Sequence, residues 1–176
     1  MPLEHTGPGE LLSWSSTKNV DWNALYADQL PRVYNYFRFR LGRHTDIEDL
    51  TSRTFEKAWR ARATYSGDLA AFSTWLFKIA RNVGTDYLRS KRSYVPLEEV
   101  PEIVAVGTPQ EKVEHDSDLV QLGRLTAALT ERERELIALK YGADINNQLI
   151  AKLTGLSESN VGVILHRAVQ TLKAQW

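Results

Sequence analysis

Apolar residues recur along this chain at steps of three and four, and no run with a period of two is long enough to make a strand. That periodicity restricts the fold to packed helices. From Asp21, residues Trp22, Leu25, Tyr26, Leu30, Val33, Tyr34, Phe37 and Leu41 line one face of a helix about six turns long, with a kink expected at Pro31. A second helix is expected from Thr45 or Asp46, either of which can cap free amides, with Ile47, Leu50, Phe55, Ala58 and Trp59 as its buried stripe. Ser66, Gly67 and Asp68 signal a turn. A third long helix follows, marked by Phe72, Trp75, Leu76, Ile79, Ala80, Val83, Tyr87 and Leu88. The first body is therefore expected to be a bundle of three principal helices.

The carboxyl-terminal body reads as shorter pieces: a helix through Leu119 to Leu129, another from Thr130 to about Tyr141, and then two more. Thr130 followed by Glu133 fits a capping box. Residues Asn147 to Leu165 have helix-turn-helix spacing. Ala151 allows close approach, Gly155 takes the turn, Ser157 caps the second helix, and Ile150, Leu156, Val161 and Ile164 face the shared core.

Charge separates these bodies. The chain's 22 basic and 22 acidic residues cancel overall, yet residues 98–118 hold Glu98, Glu99, Glu102, Glu111, Glu114, Asp116 and Asp118 against Lys112 alone. Pro96, Pro101, Gly107 and Pro109 break any helix there, which on composition fits a solvated surface loop as well as an interdomain linker. The organisation expected is all-α: an extension over 1–20, a helical domain over 21–94, an acidic flexible linker over 95–118, and a second helical domain over 119–176.

Several chemistries are excluded or unsupported. The 176 residues include no cysteine, so disulfides, thiolate metal sites and thiol nucleophiles are absent. The four histidines, His5, His44, His115 and His166, are too scattered for a metal site, and there is no Gly-rich phosphate loop or nucleophile elbow. No cofactor and no enzymatic activity are expected. The amino-terminal stretch lacks the basic and apolar segments of a signal peptide, and no later stretch reaches the roughly 18 apolar residues of a membrane span. A cytoplasmic protein without direct membrane insertion is expected.

Nucleic-acid binding fits better. "IARNVGTDYLRSKRS" places Arg81, Asn82, Arg89, Lys91 and Arg92 on or near one polar side, opposed only by Asp86. Tyr65, Phe72, Trp75, Phe77 and Tyr87 interleave with them, supplying flat faces for unstacked bases beside cations for phosphates. Helical spacing assigns Phe72, Trp75 and Leu76 to the core, leaving Tyr65 as the aromatic expected to be free.

In these segments the chain resembles the sigma factors of the extracytoplasmic-function group, which direct bacterial RNA polymerase to promoters. "DIEDLTSRTFEKAW" resembles the part of region 2 that docks on core polymerase, and "FSTWLFKIARNVGTDYLRSKR" the promoter-melting and minus-ten segment. "ALTERERELIALKYGADINNQLIAKLTGLSESNVGVILHRAVQTLK" is similar to region 4, whose helix-turn-helix reads the minus-thirty-five element. The resemblance implies that Asp46, Glu48, Asp49, Leu50 and Arg53 bind polymerase. Tyr65, Ser66, Asp68 and Asn82 would pocket a base flipped from the non-template strand. Arg81, Arg89, Lys91 and Arg92 would hold phosphates. Ser157, Glu158, Ser159, Asn160, His166 and Arg167 are what remains to meet minus-thirty-five DNA. Implied partners are core RNA polymerase, promoter DNA and an anti-sigma factor that occludes the polymerase-binding faces.

The chain departs from the resemblance at two places. Thr51, Ser52 and Arg53 stand where Gln or an acid is common, giving Arg53 a different polymerase contact. Gly162, Val163 and Ile164 replace a Lys-Ser-Arg-like run, and each missing phosphate contact flattens the salt dependence of DNA binding by about one unit of slope. A weak minus-thirty-five interaction that depends on polymerase is expected. Two alternatives share parts of the pattern: a stand-alone helix-turn-helix regulator, and a protein-interaction module that mimics sigma surfaces.

Overall fold

A computed structural model describes residues 21–42, 46–65, 69–93, 121 and 123–175. Every regular element among them is helical. Helix α1, Trp22–Leu41, starts where the Asp21 carboxylate accepts from the amides of Asn23 and Ala24, both at 3.1 Å. It runs through Pro31 as one helix and ends at Gly42, whose φ of 71° lies in the left-handed region open to glycine. Helix α2 is Ile47–Arg60, a single 3₁₀ turn spans Arg62–Thr64, and α3 is Leu69–Ser93. Packed pairwise, α1, α2 and α3 form the expected three-helix bundle.

Of the two residues expected to cap α2, Thr45 lies outside the described residues and Asp46 is engaged elsewhere. Asp46 precedes the helix but makes no side-chain cap, because its carboxylate accepts from the Tyr87 hydroxyl on α3 at 2.6 Å.

In the carboxyl-terminal lobe, residues 123–127 are helical, and Leu125 and Leu129 are buried. Helix α4, Glu131–Ile137, opens with the expected capping box: Thr130 Oγ1 accepts from the Glu133 amide, and the Glu133 carboxylate accepts from the Thr130 amide. The helical stretch continues without a break to Gly142, matching the expected end near Tyr141, but its last part is not α-helical. At Ala138 the coil widens into a π turn, Ala138–Gly142, which keeps Ala138, Leu139 and Ala143 all buried. Helix α5, Asn147–Thr154, and helix α6, Glu158–Ala174, form the helix-turn-helix. Gly155 between them sits at φ 73°, and Ser157 Oγ accepts from the Asn160 amide at 3.2 Å.

The two lobes, separate in the sequence pattern, share one apolar core. Val33, Tyr36, Phe37, Leu76 and Phe77 from the first lobe are continuous with Leu136, Ile137, Leu139, Ile150 and Val161 from the second. Helix α1 packs along the π turn and α4, and α3 packs against α5. The acidic stretch 95–118 and the extension 1–20 lie outside the described residues.

Candidate functional site

The polymerase-docking candidates sit at the start of α2. Glu48 and Asp49 are exposed, and Asp49 pairs with the exposed Arg53 one turn later at 2.8 Å. The Glu48 and Asp49 carboxylates interact favourably with the partial positive charge at the amino end of the helix. Leu50 follows the apolar stripe that helical spacing predicts, and not the polymerase-docking surface that the resemblance implies. At 1% exposure it belongs to the core between α2 and its neighbours and offers no surface to a partner. Asp46 is likewise engaged within the fold, by Tyr87 and by Lys91 at 3.6 Å. Burial, then the hydrogen bond to Asp46, raises the Tyr87 hydroxyl above its usual range. Where the resemblance leaves a departure, Thr51 is buried and its hydroxyl donates to the Ile47 carbonyl at 2.8 Å, while Ser52 and Arg53 face outward.

The minus-ten candidates divide among three surroundings. Ser66 and Asp68 lie outside the described residues. Tyr65, expected to be free, is packed: its ring lies 5.3 Å from both Phe72 and Trp75 and 6.2 Å from Trp22. The contacts with Phe72 and Trp22 are edge-to-face and that with Trp75 is tilted; together they add to area burial, so the turn residue is part of the wall rather than an open platform. Phe72 and Leu76 are core, as expected, with Trp75 partly buried. Beside Tyr65 an apolar cleft of about 240 Å³ is lined by Trp22, Tyr26, Phe55, Trp59 and Phe72, and Arg62 stacks over the Trp59 ring at 4.1 Å.

Along α3 the cations do not share one face. Arg81 and Arg92 are three turns apart and point to the second lobe. Asn82 and Arg89, two turns apart, lie on another line and are exposed. The Arg81 guanidinium donates to Glu135 on α4, Nε to Oε1 at 2.9 Å and Nη2 to Oε2 at 3.4 Å, and also to the Leu153 carbonyl at the end of α5. Arg92 pairs with Glu131 on α4. Two of the groups expected to hold phosphates therefore hold carboxylates of the other lobe.

This contact is part of a larger clasp that the sequence reading did not assign. Arg40, 3% exposed, lies 3.3 Å from Glu135 and donates to the Tyr36 hydroxyl at 2.5 Å and to Thr85 Oγ1 at 3.2 Å. Burial pushes the Tyr36 hydroxyl up to about 12, against a smaller opposing effect from Arg40. Arg32 donates from Nε to the Ala143 carbonyl at 2.8 Å and from Nη2 to the Asp144 carbonyl at 3.1 Å. At the centre, Gly142 lies on the backbone of Asn35 and Tyr36, where an added Cβ would stand 2.9 Å from the Asn35 oxygen. One signal was available in advance: Arg40 falls on the apolar stripe of α1, one turn after Tyr36, where a charge requires a buried partner.

The helix-turn-helix buries its apolar positions and leaves its polar candidates at the surface. Ile150 and Val161 are fully buried and Leu156 and Ile164 pack against them. Ser157, Glu158, Ser159, Asn160, His166 and Arg167 are all exposed. Gly162 is half-buried with only Asn147 near, at 4.0 Å from where a Cβ would be.

Among the described residues no helix is long and apolar enough to cross a membrane, and no group of three or more His, Asp or Glu side chains is placed to hold a metal ion.

Comparison with known proteins follows the same division. The sigma-70 region 2 profile matches residues 25–94 and the sigma-70 region 4 profile matches residues 119–172. The extracytoplasmic-function (ECF) RNA polymerase sigma factor BldN of Streptomyces coelicolor is 28% identical over 167 residues, covering 93% of this chain and 63% of that protein. The ECF RNA polymerase sigma factor SigM of Bacillus subtilis is 29% identical over 158 residues, covering 84% of this chain and 93% of its own. Among solved structures, the sigma factor RpoE of Bartonella quintana, in complex with the anti-sigma factor NepR, shares the fold with a TM-score of 0.66 at 21% identity, covering 88% of this chain and 95% of its own.

Proposed function

The chain belongs to the extracytoplasmic-function group of the sigma-70 family, and on that premise we propose that it is a promoter-specificity subunit of bacterial RNA polymerase. It binds core polymerase, recognises minus-ten and minus-thirty-five promoter DNA and helps open the duplex, acting in the cytoplasm and catalysing no reaction itself. The observation that carries this reading is the presence of both regions, in order, on one chain, with the second folded as a capped helix-turn-helix.

The roles of individual residues follow from what each can reach. Glu48, Asp49 and Arg53 form the exposed polymerase-facing part of α2, with Asp46 and Leu50 shaping it from beneath. Asn82 and Arg89 meet minus-ten DNA from one side of α3, and Lys91, paired with Asp46 on another side, reaches a phosphate from there. Tyr65, Ser66 and Asp68 border the place of the flipped base, Tyr65 as a wall. Arg81 and Arg92 exchange Glu135 and Glu131 for phosphates once polymerase separates the lobes. The acidic stretch 95–118 then links domains 21–94 and 119–176 across the enzyme. An anti-sigma partner is proposed as well, in keeping with the complex of RpoE with NepR.

Transcription in vitro with the full chain, core polymerase and a random promoter library tests the reading. Specific initiation at a recurrent pair of elements is expected, and output no higher than core polymerase alone would refute it. Tight, specific binding of the free chain to DNA with no effect on polymerase would favour the stand-alone regulator instead.

A further inference from the structure

Over its amino-terminal half the outward line of α6 restricts which bases can be read, and Arg167, which can read guanine, comes only in the half that follows. Asn160, Val163, His166, Arg167 and Gln170 are exposed along the helix, at spacings that keep Asn160, Val163 and Arg167 on one side. Val163 is 46% exposed, an apolar branched side chain in the middle of a polar stripe. It makes no contribution to the core, which Val161, Leu165 and Ala168 supply from the opposite face. From Glu158 through Leu165 the helix has neither Lys nor Arg, the side chains that read guanine through its O6 and N7 atoms.

We infer that Val163 and Asn160 make α6 a reader of A·T pairs: the Val163 methyls pack on a thymine C5-methyl, and the Asn160 amide binds adenine N6 and N7 on a neighbouring pair. The chemistry is selective. In the major groove the thymine methyl is the one apolar group a base presents, and a carboxamide matches the donor and acceptor of adenine in a bidentate pair. Ser157 caps the helix through the backbone amide of Asn160, which fixes the first turn and leaves the Asn160 side chain to DNA. Glu158, which can accept from cytosine N4, is the one group in this half that would select a G·C pair. The inference rests on the reading of α6 as the minus-thirty-five helix and adds the base class that helix selects.

Uracil in place of thymine tests it, because the exchange deletes only the C5-methyl. Open-complex formation is measured with full-length chain and core polymerase on a promoter recovered from the random library. Replacing each minus-thirty-five thymine by uracil in turn is expected to lower complex formation about fourfold at one position, the worth of one methyl group removed from water. Val163→Ala should lose that discrimination and show no further loss with uracil, whereas Val163→Ile should retain it. Asn160→Ala should abolish the preference for adenine on an adjacent pair. If scrambling the whole element matters but no uracil does, or if selected elements are G·C pairs lost in Glu158→Ala, the inference is overturned while the promoter-specificity reading stands. If scrambling the element changes nothing, the reading of α6 fails as well.

Discussion

Replacing Gly142 by Ala tests how closely the lobes are fitted. The added Cβ would lie 2.9 Å from the Asn35 oxygen and 3.1 Å from the Asn35 carbonyl carbon and the Tyr36 Cα, all of them backbone atoms of α1. Ordinary contact begins at 3.4 Å, so α1 and the π turn must separate by about 0.5 Å. No flexible side-chain tip can absorb this. The shift is transmitted to Tyr36 and Phe37, both fully buried, and to Arg40, whose hydrogen bonds to Tyr36 and Thr85 have little slack. Overpacking of this kind costs about 1–3 kcal/mol, a large share of a stability of about 5–15 kcal/mol. Gly142 does not have a positive φ, so space and not backbone conformation decides the outcome. Urea denaturation of the free chain should show a lower midpoint, and small-angle scattering a larger radius as the lobes part. Gly162→Ala is the matched control: it lies within α6 with nothing nearer than 4.0 Å, and should stabilise by up to about 1 kcal/mol. Equal midpoints and equal radii for Gly142→Ala and the parent chain would refute the close fit.

Two other perturbations address the clasp. Glu135→Gln removes the charge shared by Arg40 and Arg81 and leaves Arg40 buried without a counter-ion; a loss of about 3–5 kcal/mol is expected by denaturant titration, with a smaller loss when Arg81→Ala is combined with it than the single losses add up to. Alkaline pH provides the second. The Tyr36 hydroxyl keeps its proton to about 12 in the folded chain but releases it near 10 when unfolded, so the unfolded state binds fewer protons in that interval and stability falls as pH rises from 10 to 12. In Tyr36→Phe the fall should be shallower, by about 2 kcal/mol or somewhat more over the interval, and an unchanged slope would remove Tyr36 from the account.

Much of the fold was legible because its signals are local. Thr130 with Glu133, Gly155 and Ser157 each bond or bend within four residues of where they stand, so sequence spacing alone identifies them. What escaped involves partners far apart along the chain. Asp46 is the proper type for a cap, yet the Tyr87 hydroxyl, 41 residues on, competes successfully for its carboxylate. Arg32 reaches carbonyls more than a hundred residues away, which no periodicity announces. The same distinction explains the site. The exposed face of the helix-turn-helix follows from helical spacing. Leu50 is interior, as its place in the apolar stripe predicts, while the turn position of Tyr65 suggests a free ring and only packing reveals it as a wall.

A core that passes without interruption from one lobe to the other governs how the molecule can be dissected. Cutting between the lobes would bare Val33 and Tyr36 on one piece and Leu139 and Ala143 on the other, surfaces that water now never meets. Each fragment would tend to cluster with copies of itself or need apolar-to-polar replacements at the cut. Experiments on separated halves would therefore measure sticky remnants, and the intact polypeptide is the proper unit for every binding and transcription measurement.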